Sequence, residues 1–99
     1  MAKGKGRRRP DATADVAAAL ALHRAGRVGD AERLYRQVLE GEPGNAEALH
    51  LLGVAALQQG RAEEAVDLIG EAAKRRKQDP QVQNNLGEAY RALGRLDEA

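Results

Sequence analysis

The stretch NAEALHLLGVAALQQGRAEEA, residues 45–65, decides how this chain folds. Gly60 within it has Gly26 before it and Gly94 after it, each 34 residues away. Ala65 has Ala31 and Ala99 at the same distance, and Gly53 has Ala19 and Gly87. Three landmarks keep one period, without slippage, along nearly the whole chain. A fixed period of this length signals stacked helix-turn-helix units, none of which buries its apolar face alone.

Composition supports that reading. Apolar residues make up 42% of the 99, but aromatic ones only 2%, so alanine and leucine must form a thin core of small side chains. Alanine suits helices at close range, having the best helix propensity and little bulk. One compact core of this size would be marginal, whereas a repeat array buries surface between neighbours. There is no cysteine, which excludes disulfides and thiolate metal sites. No apolar run approaches the roughly 20 residues of a membrane span. The basic N-terminus lacks a signal peptide's apolar segment, so a cytoplasmic location is the expectation.

Residues 1–11 read as a disordered basic tail, since Lys3, Lys5, Arg7, Arg8 and Arg9 stand among glycines with no acid before Asp11. From Asp11 onward the chain holds 11 basic and 15 acidic residues, so only the first ten residues are cationic. No aromatic residue accompanies those charges to stack on bases, which argues against nucleic acid as a partner.

The first unit is expected over 12–45. Asp11 or Thr13 caps its first helix, which carries Val16, Ala19, Leu20 and Leu22, and Gly26 is its left-handed stop. Ala31, Leu34, Tyr35, Val38 and Leu39 keep helical spacing on the second helix, which Pro43 and Gly44 end. The second unit, 46–79, begins after the cap Asn45, places Leu49, Leu52, Gly53 and Ala56 on one face, and turns at Gly60. Its partner helix carries Ala65, Leu68, Ile69, Ala72 and Ala73. Lys74, Arg75, Arg76 and Lys77 then complement its C-terminal dipole. The third unit, 80–99, opens with Asp79 as cap and Pro80 at the first helical position. Gly94 is expected to stop its first helix, leaving the partner helix only begun.

On these residues the chain resembles the tetratricopeptide repeat family over about 12–99. The second unit offers Leu49, Leu52-Gly53, Ala56, Ala65 and Ile69; the third offers Leu86-Gly87, Tyr90 and Ala99; the first offers Leu22, Ala31, Tyr35 and Pro43. Asp15 and Gln83 depart from the family's large residue, Ala18-Ala19 replaces Leu-Gly, and Lys77 replaces the closing proline. The resemblance implies an all-α fold, a right-handed α-solenoid of two full repeats plus the first helix of a third. It further implies a concave groove lined by the first helix of each repeat. Carried over, the groove positions are Thr13, Val16, Leu20, His23 and Arg24 in the first repeat. Glu47, His50, Val54, Leu57 and Gln58 follow in the second, and Gln81, Asn84, Asn85, Glu88 and Arg91 in the third.

Chaperone-binding members of the family hold a C-terminal carboxylate with a clamp of Lys, Asn and Arg. Here the matching positions are Val16, Leu20, Leu51, Gln81 and Asn85, none of them a cation. Leu20, Val54 and Leu57 instead suggest an apolar strip flanked by Arg24, Glu47, Glu88 and Arg91, suited to a segment with apolar anchors. The third repeat, from Asn84 to Ala99, is also similar to the repeat arm of O-linked N-acetylglucosamine transferases and their bacterial relatives. Only Asn85 occupies a position of that family's asparagine ladder, with Ala17 and Leu51 breaking it.

Catalytic chemistry has no candidate. His23 and His50 lie 27 residues apart, without the i, i+4 spacing of a helical zinc pair or a third ligand. There is no serine, and Thr13 has no base beside it. The expectation is a non-enzymatic protein-interaction module that takes a protein or peptide partner, needs no cofactor or metal and enters no membrane. Two alternatives stand beside it. The chain is the N-terminal recognition arm of a larger, glycosyltransferase-like transferase, or it self-associates through Leu86, Tyr90 and Leu93 of its C-terminal helix.

Overall fold

The computed structural model describes residues 12–98, with side chains as far as Arg95. The basic tail, the cap Asp11 and the facing position Ala99 lie outside the described residues. Five helices follow one another: α1 (Ala12–Arg24), α2 (Val28–Gly41), α3 (Ala46–Gln58), α4 (Ala62–Arg75) and α5 (Pro80–Glu98), with no strand among the described residues. α1 with α2, and α3 with α4, form helical hairpins, and α5 packs on α4 as α3 packs on α2. α1 begins at Ala12, so Thr13 lies inside the helix and is not its cap.

The turns follow from local chemistry. Gly26 and Gly60 adopt φ of 86° and 83°, a region that costs residues with a Cβ about 1–2 kcal/mol. Each sits in the same paired closure. Arg27 N–H donates to Leu22 C=O at 2.8 Å, and Arg61 N–H to Ala56 C=O at 2.9 Å, satisfying carbonyls the helix end leaves open. Asn45 Oδ1 accepts from Ala48 N–H at 2.9 Å, and Asp79 Oδ1 from Gln81 N–H at 3.0 Å and Val82 N–H at 3.3 Å. Asn45→Ala is expected to cost about 1 kcal/mol in urea denaturation, the usual worth of such a cap.

Gly94 behaves otherwise. The expected stop is absent, and α5 runs through it to Glu98. At Gly26 and Gly60 the turn lets a second helix pack back on the first. Continuing α5 through Gly94 gains one backbone bond per residue. That outweighs the roughly 1 kcal/mol glycine costs in a helix interior.

Two apolar clusters make up the core, and α3 belongs to both. Ala48 and Leu52 face Val16, Ala19, Ala31, Tyr35 and Val38, whereas Leu49 and Ala56 face Ala65, Ile69, Ala72, Val82 and Ala89. An apolar stripe on two sides explains why the middle stretch reads as hydrophobic nearly all round, as a buried helix does. On the outer side, Glu32 accepts from Arg61 at 2.7 Å, Arg61 reaches Glu64 at 3.0 Å, and Arg36 binds Glu64 at 2.9 Å. This network ties α2 to α4 and so sets how one hairpin sits on the next. Hydrogen bonding from Arg36 holds the Glu64 carboxyl below its usual range. Its contribution to stability is therefore present above the ordinary glutamate pKa and is lost as pH falls through the depressed one. Thirty-four residues after Glu32 and Arg36 stand Val66 and Gly70, so the same brace does not recur.

Candidate functional site

The first helices of the three units, α1, α3 and α5, run side by side, and side chains join each to the next. The His23 ring donates from Nε2 to Gln58 Oε1 at 2.6 Å, a link from α1 to α3. With that proton on Nε2, Nδ1 is the acceptor for the Tyr35 hydroxyl at 3.5 Å, and the two rings meet edge to face at 6.3 Å. Tyr35 is fully buried, and burial pushes its hydroxyl up to about 12, Glu47 adding to the effect and Arg24 opposing it. One unit further on, Asn85 Nδ2 donates to His50 Nε2 at 2.8 Å, linking α3 to α5. Both bonds step 35 residues, one more than the repeat, so each crosses from one first helix to the next.

Between these links lies a depression of about 260 Å³, lined by Leu20, Arg24, Glu47, His50, Leu51, Arg76, Asp79 and Gln81. His50 is only 8% exposed. Burial lowers its pKa from the ordinary imidazole value and Arg76 acts in the same sense, against Asp79 and Glu47, which raise it. The ring is thus neutral near pH 7 and accepts from Asn85.

Of the residues expected on the groove, the fold brings Leu20, Arg24, Glu47, His50 and Gln81 together around this depression. Thr13 lies exposed near the start of α1. His23, Gln58 and Asn85 are engaged with one another's helices. Val16 is 3% exposed and belongs to the first core cluster, because Tyr35 and Leu52 close over that side of α1. Val54 and Leu57 pack partly against the second cluster, so the expected apolar strip is not continuous with Leu20. Leu57, about 10 Å along α3 from His50 at 1.5 Å per residue, borders a separate depression with Gly60, Ala62, Ala92 and Arg95. Asn84 is exposed outside the depression, and Glu88 and Arg91 pair with each other at 2.5 Å. Arg76 and Asp79 were not expected there. They come from the α4–α5 turn; in the sequence Arg76 reads as part of the basic helix end at 74–77 and Asp79 as the cap of α5. Among the described residues, no three of His, Cys, Asp or Glu are grouped to hold a metal, and no helix is long and apolar enough to cross a membrane.

This geometry agrees with comparison to known proteins. A tetratricopeptide repeat profile matches residues 22–85, and a second of the same description matches 80–99. The chain belongs to the tetratricopeptide repeat family. Among solved structures it is similar to the C-terminal tetratricopeptide-containing domain of a putative FK506-binding protein from Plasmodium falciparum. The TM-score is 0.83 at 22% identity, over 89% of this chain and 58% of that one. At that identity the likeness speaks for the fold alone. No curated protein matches. Domains of this family generally mediate contacts between proteins.

Proposed function

We propose that this tetratricopeptide array is an interaction module that holds a segment of a partner protein against α1, α3 and α5. The observation that carries this reading is the depression where all three first helices and the α4–α5 turn converge, with a buried histidine at its floor. Concave sites with apolar walls and a few convergent polar groups are where small segments bind. The test is to select binders from a displayed peptide library and map one onto the isotope-labelled chain by NMR. Shifts are expected to cluster at Leu20, Glu47, His50 and Gln81. Leu20→Asp, a half-buried position on the apolar wall of the depression, is expected to weaken binding about tenfold or more. Shifts confined to the outer faces of α2 and α4 would count against the groove.

A second reading is favoured by one observation at the other side of α5. Tyr90 is 56% exposed and borders a depression of about 330 Å³ with Val66 and Gly70, an aromatic side chain without an apolar cover. Self-association through this face predicts a sedimentation mass that rises with concentration and falls back in Tyr90→Lys. A constant monomer mass removes the reading.

A further inference from the structure

Charges around the depression are unequally provided for. Arg27, Arg33, Arg36, Arg61, Lys74 and Arg91 all pair with carboxylates. Arg24 and Arg76, which line the depression, have no such partner among the described residues. Arg75, beside Arg76, is spent elsewhere, its guanidinium lying over Gly44. The two acids present are differently placed. Asp79 is committed to the first amides of α5, and Glu47 sits in the first turn of α3, where the helix dipole offsets its charge.

His50 adds a third donor. Asn85 donates to its Nε2, which puts the ring proton on Nδ1, and Nδ1 has no acceptor among the described residues. A side chain more than nine-tenths buried thus keeps a donor unsatisfied at the floor of a cavity whose free cations are Arg24 and Arg76. Such a donor set is complemented by an acceptor-only group with several lone pairs, which a carboxylate is. Leu20 and Leu51 give its methylene stem an apolar wall.

We infer that this depression is a subsite for an acidic side chain of the bound segment, held by Arg24, Arg76 and His50. The inference rests on the groove reading above. It differs from a clamp for a chain terminus at the family's usual positions, which here carry no cation. The cations enter instead from the end of α1 and from the α4–α5 turn.

Protonation of His50 follows as a consequence. Its ring faces Glu47 on its own helix, Arg24 from α1, Arg76 and Asp79 from the turn, and Gln81 and Asn85 from α5. A bound carboxylate favours the imidazolium, the Asn85 amide turning so that its Oδ1 accepts from the newly protonated Nε2, so the complex takes up a proton that the free protein does not hold. Affinity therefore rises as pH falls from about 7 to about 5, where a peptide glutamate is still ionised.

The test uses blocked alanine pentapeptides with a central glutamate, glutamine or lysine, and the glutamine peptide with a free C-terminal carboxylate. Each is titrated into the isotope-labelled chain and followed by NMR. The glutamate peptide is expected to bind about tenfold more tightly than the blocked glutamine peptide, as one charge-assisted contact requires. Arg76→Gln is expected to erase that advantage with the circular dichroism spectrum unchanged, and His50→Gln to flatten the pH dependence. Equal binding of glutamate and glutamine peptides, or tightest binding of the lysine peptide, overturns the acidic subsite while leaving the groove reading intact. A free-terminus glutamine peptide that matches the glutamate peptide overturns the side-chain assignment in favour of a chain terminus. If no peptide moves the groove resonances, the groove reading falls and the subsite with it.

Discussion

Tyr35→Ala is expected to destabilise the chain by about 4 kcal/mol, the cost of deleting a fully buried aromatic ring. Tyr35 is the largest fully buried side chain and sits in the first cluster, between α1 and α3. The neighbouring core residues are mostly alanine and valine, which lack the bulk to swing into the space left behind. A domain of this size holds about 5–15 kcal/mol in total, so the loss takes a large share of it. Equilibrium urea denaturation followed at 222 nm is the measurement. Tyr35→Phe separates packing from polarity. Its hydroxyl lies 3.5 Å from His23 Nδ1, a long bond, and removing it is expected to cost less than about 1 kcal/mol. Similar losses in the two variants would show that the hydroxyl, and not the ring, holds the first hairpin to its neighbour.

The second large effect comes from two glycines in the same register. A Cβ on Gly53 would sit 2.4 Å from Ile69 Cγ1 and 3.2 Å from the Ile69 backbone nitrogen. The first contact forces Ile69 or α4 to move, and the second asks the α4 backbone to give by a few tenths of an ångström. Gly53→Ala is therefore expected to lose about 2 kcal/mol, the overpacking cost exceeding the gain in helix propensity. Gly87, one period later, meets only the tip of Arg91, at 4.0 Å. Gly87→Ala is expected to gain about 0.5–1 kcal/mol, since a helix interior with room for a Cβ favours alanine. Opposite signs at equivalent positions are the prediction. Combining Gly53→Ala with Ile69→Ala should cost less than the sum of the two, because the second change removes the atom that clashes. An additive result would place the strain elsewhere.

Much of the fold was legible before any coordinates, for a local reason. Turn glycines at 26 and 60 and caps at 45 and 79 act within four residues of themselves, so sequence spacing states their role directly. The period then says which helices pair. Gly94 has the same spacing yet does not turn: α5 runs through it to Glu98, its backbone bonds outweighing what glycine costs in a helix interior.

The site was legible in part. Val16, His50 and Asn84 share one register 34 residues apart, and sequence treats them alike. The fold buries the first in a core, places the second at a cavity floor and leaves the third exposed. Burial depends on what neighbouring element lies above a position, and that changes from the first unit to the last. The positions matched to the family's clamp hold no cation, yet Arg24 and Arg76, 52 residues apart, line one depression. No spacing rule connects those two.

The sequence by itself determined that this protein is a stack of helical hairpins, where each hairpin turns and which faces are apolar, because periodicity and capping are properties of consecutive residues. Only the tertiary structure decided that three first helices and one turn enclose a depression, and that His50 lies at its floor with Arg24 and Arg76 around it, neither paired with a carboxylate among the described residues. That arrangement depends on how closely α3 approaches α4 at Gly53 and how the Glu32–Arg61–Glu64–Arg36 network sets one hairpin on the next. Both are contacts between distant residues, and their geometry exists only once the chain has packed.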